Sequence, residues 1–189
     1  TEPAPGSRTM TSRSRTADDA RPPAPDPADA RCWLMKSEPD EASIDDVLAM
    51  PGQTIAWFGV RNYQARNFMR DRMRIDDPVL FYHSSCAEPG IVGLARVASA
   101  PYPDPTQFDP QSPYYDATAS RDAPRWILVD VQATRKIATL SLAELRRHPE
   151  LADMVVLRKG NRLSITPVTD AQWQFIHDRL ALPVAKESR

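Results

Sequence analysis

Residues 77–100, "DPVLFYHSSCAEPGIVGLARVASA", decide the fold class. Two apolar runs, "DPVLFYH" and "GIVGLARVASA", flank the polar turn "SSCAEP". Both runs are short and rich in β-branched and aromatic residues, so they predict two strands joined as a hairpin. Working outward, Cys32 to Lys36 reads as a buried strand that runs into a polar turn at Pro39. "TIAWFGV" (54–60) is a short strand after the turn "PGQT". "RWILVDVQATRKI" (125–137) alternates apolar residues as one longer strand, and "RLSITPV" (162–168) is another short one.

The predicted helices are few. Ser43 caps one from Ile44 to about Ala49, with Asp45 and Asp46 favoured at its positive end. Asn62 caps a second to about Met73, whose Ala65, Phe68, Met69 and Met73 share one apolar face. Arg66, Arg70 and Arg74 lie along another line of that helix. Capping boxes at Ser141 with Glu144 and at Thr169 with Gln172 open two more, the last running to about Leu180. Strands outnumber helices and are not separated by regular helices. The expected class is therefore α+β: a mixed, mostly antiparallel sheet or small barrel flanked by short helices.

The chain has 189 residues, 41% hydrophobic and 26% charged, which suits one domain with its own core. That domain is expected over 31–182. Residues 1–30, rich in Pro, Ala, Asp and Arg, are expected to be disordered, and 183–189 to form a tail. No apolar run approaches the ~20 residues of a membrane helix. Cys32 and Cys86 make no disulfide framework, so a reduced, cytoplasmic setting is expected, with association to a nucleoid as a variant of it. A metal site joining Cys32, His83 and Cys86 is a weak alternative, and no metal or cofactor is expected. Four arginines and five carboxylates precede residue 31, which leaves the rest of the chain with 20 basic and 20 acidic side chains. A neutral domain does not grip a long nucleic-acid backbone by charge alone; recognition would be local.

Three places carry chemistry. Lys36, Ser37 and Glu38 sit where a buried strand surfaces. "WFGVRNYQARNFMR" (57–70) mixes aromatics with Arg61, Asn62 and Gln64 at a helix start, beside Gly59, where something can approach the backbone closely. An aromatic surface beside an anion site suits a nucleotide. Composition alone favours the plainer reading, with Trp57 a core residue and Arg61 paired with a nearby carboxylate. "FYHSS" ends a strand, with Phe81 and His83 on one face and Tyr82 and Ser84 on the other. Tyr102 to Pro124 is a long loop of the kind that often carries function. No nucleophile elbow, phosphate loop, dinucleotide glycine pattern or HExxH is present.

In chain order, "WLMKSEPD", "WFGVRNYQARNFMR", "VLFYHSS", "GIVGLARV", "YPDPTQFD", "YYD", "PRWILVDV" and "RLSITPV" resemble the EVE domain family. The resemblance runs from about Trp33 to Leu180. It implies a PUA-like fold, a bent mixed β-barrel or sheet with short helices, and a non-enzymatic binding module for a modified base. The base implied is 5-methylcytosine or 5-hydroxymethylcytosine in DNA, with RNA or a free nucleotide as alternatives, and the module is expected to be a monomer. Carried onto this chain, Trp57 would be a stacking wall and Phe81 and Tyr82 the other walls. Lys36, Ser37 and Glu38 would meet base edges or phosphate. Val60, Arg61 and Asn62 would form the rim, Tyr63 and Gln64 the helix start, and His83 and Ser84 the floor or edge. An alternative, by analogy with the related ASCH amidohydrolases, would use Lys36 and Glu38 as an acid–base pair on a modified nucleoside. One departure is "RIDDPVL": the family commonly has Lys or Arg, then Gly-Asp, where Ile75, Asp76 and Asp77 stand here.

Overall fold

The computed structural model describes residues 30–183. The expected disordered segment (all but Ala30) and the tail beyond Pro183 lie outside the described residues. Eight strands follow in order: β1 (Cys32–Ser37), β2 (Thr54–Ala56), β3 (Pro78–His83), β4 (Gly90–Val97), β5 (Tyr102–Pro103), β6 (Ile127–Leu128), β7 (Asp130–Ser141) and β8 (Ile165–Val168). The α-helices are short: α1 (Pro39–Ala42), α2 (Ile44–Ala49), α3 (Tyr63–Asn67), α4 (Leu142–Leu145) and α5 (Asp170–Phe175). The polar turn expected at Pro39 is in fact the single turn of α1, with Pro39 at its start, where a missing N–H costs nothing.

Six strands form one sheet in the order β2-β7-β4-β3-β1-β8. Its β1–β3 pair is parallel and its other pairs antiparallel, so the architecture is the expected α+β mixed sheet. The β3–β4 hairpin forms as its sequence predicts. The alternating run at 125–137 does not stay one strand. It divides at Val129: β6 pairs with β5 in a separate ribbon, and β7 pairs with both β4 and β2.

Period-two alternation fills both faces. Trp33, Met35, Val79 and Phe81 point to one side, where Ile44 and Val47 of α2 and Ala65, Phe68 and Met69 of the third helix cover them. Leu34, Leu80 and Tyr82 point to the other, under Leu145, Leu151, Met154 and Ile176. Each large side chain so buried contributes about 1.5–3 kcal/mol. The predicted helix to Met73 has the expected extent and buried face, but it widens after Asn67 into a π turn, Phe68–Arg72, closed by Met73 N–H donating to the Phe68 carbonyl at 2.9 Å. The final helix does the same over Ile176–Leu180.

The departure before β3 keeps its register. Asp76 takes the left-handed conformation (φ +74°) where the family's glycine is expected, and aspartate tolerates that region better than most side chains. The buried Asp77 accepts from the Trp33 indole N–H at 3.1 Å and the Arg74 N–H at 2.9 Å, tying this turn to β1.

The ends of the sheet place the functional region. In a flat sheet β2 and β8 would stand about 24 Å apart, five strand spacings. Instead Ile55 and Ala56 of β2 and Ser164, just before β8, line one cleft. The sheet is bent until its edges nearly meet, helped by register shifts in β3–β4 and β4–β7, and the cleft occupies the seam.

Candidate functional site

The seam cleft has a volume of about 520 Å³, within the range that holds a nucleotide-sized ligand. Eight of the sequence-selected residues line it: Lys36, Ser37, Glu38, Trp57, Val60, Arg61, Asn62 and Ser84. β1 delivers the first three. The Ser37 hydroxyl donates to the Ala42 carbonyl at 2.7 Å, folding α1 back over the strand end, and the Ser37 carbonyl accepts the Ser84 N–H at 3.0 Å. Lys36 is half-buried with its ammonium 5.7 Å from the Tyr82 ring centre, and burial lowers its pKa. Among the described residues no carboxylate forms an ion pair with Lys36.

Trp57 leaves β2 with its N–H still donating to the Val129 carbonyl at 2.9 Å. Its indole is only 7% exposed and meets the Phe81 ring edge-on, centroids 5.3 Å apart. The chain then turns sharply at Gly59 (φ +81°), so both Trp57 and Phe58 face the cleft. A Cβ at Gly59 would lie 2.7–2.9 Å from the Tyr114 ring. The close approach that this glycine permits is therefore made by a side chain of the protein itself.

Arg61 does not serve as a free anion site. Its Nε and Nη2 donate to the Tyr114 carbonyl at 3.0 and 2.7 Å, and Nη2 also to Thr106 Oγ1 at 3.0 Å. Nη1 donates to the Val60 carbonyl and to Asp104 Oδ2, each at 3.0 Å. All five guanidinium N–H groups are thereby committed. Asp104 is buried, which by itself would raise its pKa. Bonds from Thr106, the Gly59 N–H and Arg61 outweigh that and hold the carboxyl below its usual range. Asn62 spends its side-chain oxygen capping the Ala65 N–H at 3.0 Å, leaving its amide as a donor on the rim.

Five selected residues do not line this cleft. Phe81 is fully buried behind Trp57 and braces it; Tyr82 is buried on the opposite face of the sheet. Neither is a wall. His83 Nε2 accepts the Ile44 N–H at 3.0 Å, holding the start of α2. Tyr63 is 52% exposed and stacks on Trp126, and Gln64 faces a different cleft. The aromatic groups that do accompany Trp57 are Phe58 and Tyr114, edge-on to each other at 5.8 Å. The Tyr114 hydroxyl donates to Glu41 of α1, bridging the long loop to the strand end. Tyr114, Arg162 and Ser164 stand in the runs "YYD" and "RLSITPV" and Glu41 just past "WLMKSEPD", but nothing local marks them as cleft residues, because they reach the cleft from loops and the short α1. Those runs and the length of the Tyr102–Pro124 loop are the signals that could have found them. Cys32 and His83 stand at opposite ends of paired parallel strands and cannot share an ion, and no metal-holding cluster exists among the described residues.

The same fold recurs in known proteins. Human thymocyte nuclear protein 1 is 43% identical over 162 residues, covering 76% of this chain and 71% of its own. A crystal structure of a Pseudomonas putida protein is 47% identical with a TM-score of 0.74, covering 78% of this chain and 97% of that one. The crystal structure of human THYN1 protein in complex with 5-methylcytosine containing DNA is 42% identical with a TM-score of 0.73, covering 78% and 95%. The EVE domain family matches residues 31–179, and the chain belongs to that family.

Proposed function

We propose that this chain is a binding module for a modified base in DNA, which captures an extruded 5-methylcytosine or 5-hydroxymethylcytosine in the seam cleft beside Trp57. The observation that carries this reading is the DNA complex of the human relative, whose fold this chain shares at 42% identity. The cleft supports it with an aromatic group braced from behind, polar side chains on the strand end, and two cations at its border, Lys36 and Arg162, that form no ion pair among the described residues. Extrusion costs a few kcal/mol and is offset by stacking of about 1–3 kcal/mol per base together with hydrogen bonds to the base edge. The added methyl contributes only about 1 kcal/mol by burial, so discrimination from the unmodified base is modest unless the pocket also penalises the unmodified edge. The reading is of a binding module and not an enzyme.

Calorimetric titration with short DNA carrying one modified or one unmodified cytosine tests the proposal. Tighter binding of the modified strand, weakened about tenfold or more by Trp57→Ala in a protein that still melts cooperatively, is expected. Equal affinity for both strands would sink it.

A further inference from the structure

A second cleft of about 510 Å³ lies beside the first, and its lining differs in character. Val155, Leu163 and Pro167 give it an apolar floor, the Arg72 guanidinium lies over the buried Phe68 ring at 5.4 Å from its centre, and Arg158 and Lys159 form a basic rim. The partition between the two clefts is one extended segment. Arg162 and Ser164 point into the seam cleft, and Asn161 and Leu163 point into the second. The α3 start divides the same way: Asn62 lines the first cleft and Gln64 the second.

The basic rim is built on a defined turn. Asn161 Nδ2 donates to the Val155 carbonyl at 3.1 Å, and its Oδ1 accepts the Leu163 N–H at 3.1 Å. Gly160 sits at φ +75° with open space where a side chain would be. Arg158 and Lys159 are exposed, and neither forms an ion pair among the described residues. An apolar floor beneath uncompensated cations on an anchored turn suits a group that is flat and apolar at one end and anionic at the other.

We infer that the second cleft is a subsite for the nucleotide adjacent to the captured base on the same strand, its base on the Val155–Leu163 floor beside the Arg72 guanidinium and its phosphate at the Arg158–Lys159 turn. The inference rests on the reading of the seam cleft as a base pocket. The one-segment partition supplies the reason: two clefts separated by a single extended backbone suit successive units of one polymer, and a sugar-phosphate link can cross between them over Arg162.

The test compares a mononucleotide, 5-methyldeoxycytidine monophosphate, with a single-stranded hexamer carrying one 5-methylcytosine, titrated into wild type and into the double variant Arg158→Gln, Lys159→Gln. Wild type binds the hexamer more tightly than the mononucleotide, and the variant loses about 5- to 20-fold of hexamer affinity while its mononucleotide affinity stays within twofold. Neutralising Arg146 and Arg147, two arginines at the end of α4, leaves both affinities within twofold. Equal hexamer binding by wild type and the Arg158/Lys159 variant overturns the subsite and leaves the base pocket standing, as does an equal loss in the Arg146/Arg147 control. Absence of binding to any of these ligands by wild type overturns both readings.

Discussion

Gly59 shapes the cleft, and His83 holds the start of α2 beside it. Gly59 combines a left-handed backbone with a side-chain ring where its Cβ would be. Gly59→Ala therefore meets both a backbone penalty and a steric one, and destabilises by about 1–3 kcal/mol. Adding Tyr114→Ala removes the steric part, so the double variant is less destabilised than the two single losses together by more than about 0.5 kcal/mol. Urea unfolding of the four proteins measures this, and strict additivity would show that the ring and the glycine are not coupled. His83 acts through its protonation state. Nε2 accepts the Ile44 N–H, so the folded ring is neutral with its proton on Nδ1. Burial is the main cause that lowers its pKa below the ordinary 6.5; Lys136 adds to this, while Asp45 and Asp46 oppose it. The unfolded chain thus takes up the proton first as pH falls. The stability this group provides is complete above 6.5 and is lost as pH drops through the lower folded value. His83→Gln keeps an acceptor without titrating, so the Tm difference between about pH 7.5 and about pH 5 should shrink in that variant. An unchanged difference would mean that other groups set the acid sensitivity.

Among the elements, the strands and the helix faces are legible in sequence because period and capping residues act locally. The β3–β4 hairpin, the caps at Ser43, Asn62 and Thr169, and the buried face Ala65, Phe68, Met69 and Met73 all form as expected. The cleft walls are half legible. Trp57, Lys36 and their neighbours stand in short recognisable runs, whereas Tyr114 and Arg162 reach the cleft only through tertiary folding of loops. Arg61 misleads for a related reason. Its partner Asp104 is 43 positions away, and no local pattern reveals that pairing. What holds the long loop is a side chain inside the run "YPDPTQFD" whose role nothing local reveals. Gln107, fully buried, donates to the Asp104 and Trp126 carbonyls at 2.7 and 2.8 Å and accepts the Arg125 and Trp126 N–H groups, both at 3.0 Å. It substitutes for a strand partner between the two limbs of the loop. Gln107→Met keeps the volume and strands those backbone groups, at a cost of about 3 kcal/mol. The urea midpoint should fall, and amide exchange should quicken across 104–126 more than in β3 and β4. Uniform acceleration across the sheet would show that Gln107 supports global stability instead of this loop.

At the scale of the whole molecule, charge balance limits how nucleic acid can be held. The full chain carries a formal charge of −1, so no general positive field draws a polyanion to it. Attraction must come from cations that are local and uncompensated. Much of the arginine content is otherwise engaged: Arg61 with Asp104, Arg70 with Asp71, Arg96 with Asp76 and Arg125 with Asp116. Among the described residues, Lys36, Arg158, Lys159 and Arg162 border the two clefts without ion pairs. Each phosphate neutralised releases counterions and contributes about −0.9 to the slope of log affinity against log salt on duplex DNA, or about −0.7 on a single strand. Four such contacts give a slope of about −3 to −4, far shallower than that of a basic protein lying along the backbone. The base-specific part of the affinity, from stacking and edge contacts, persists as salt rises. Selectivity for the modified over the unmodified strand should therefore hold roughly constant between about 50 and 300 mM salt while both affinities fall together. Titration of both strands across that range measures slope and selectivity in one series. A slope steeper than about −6 would place further cations on the phosphates, and selectivity that collapsed with salt would move the discrimination from the pocket to the charges around it.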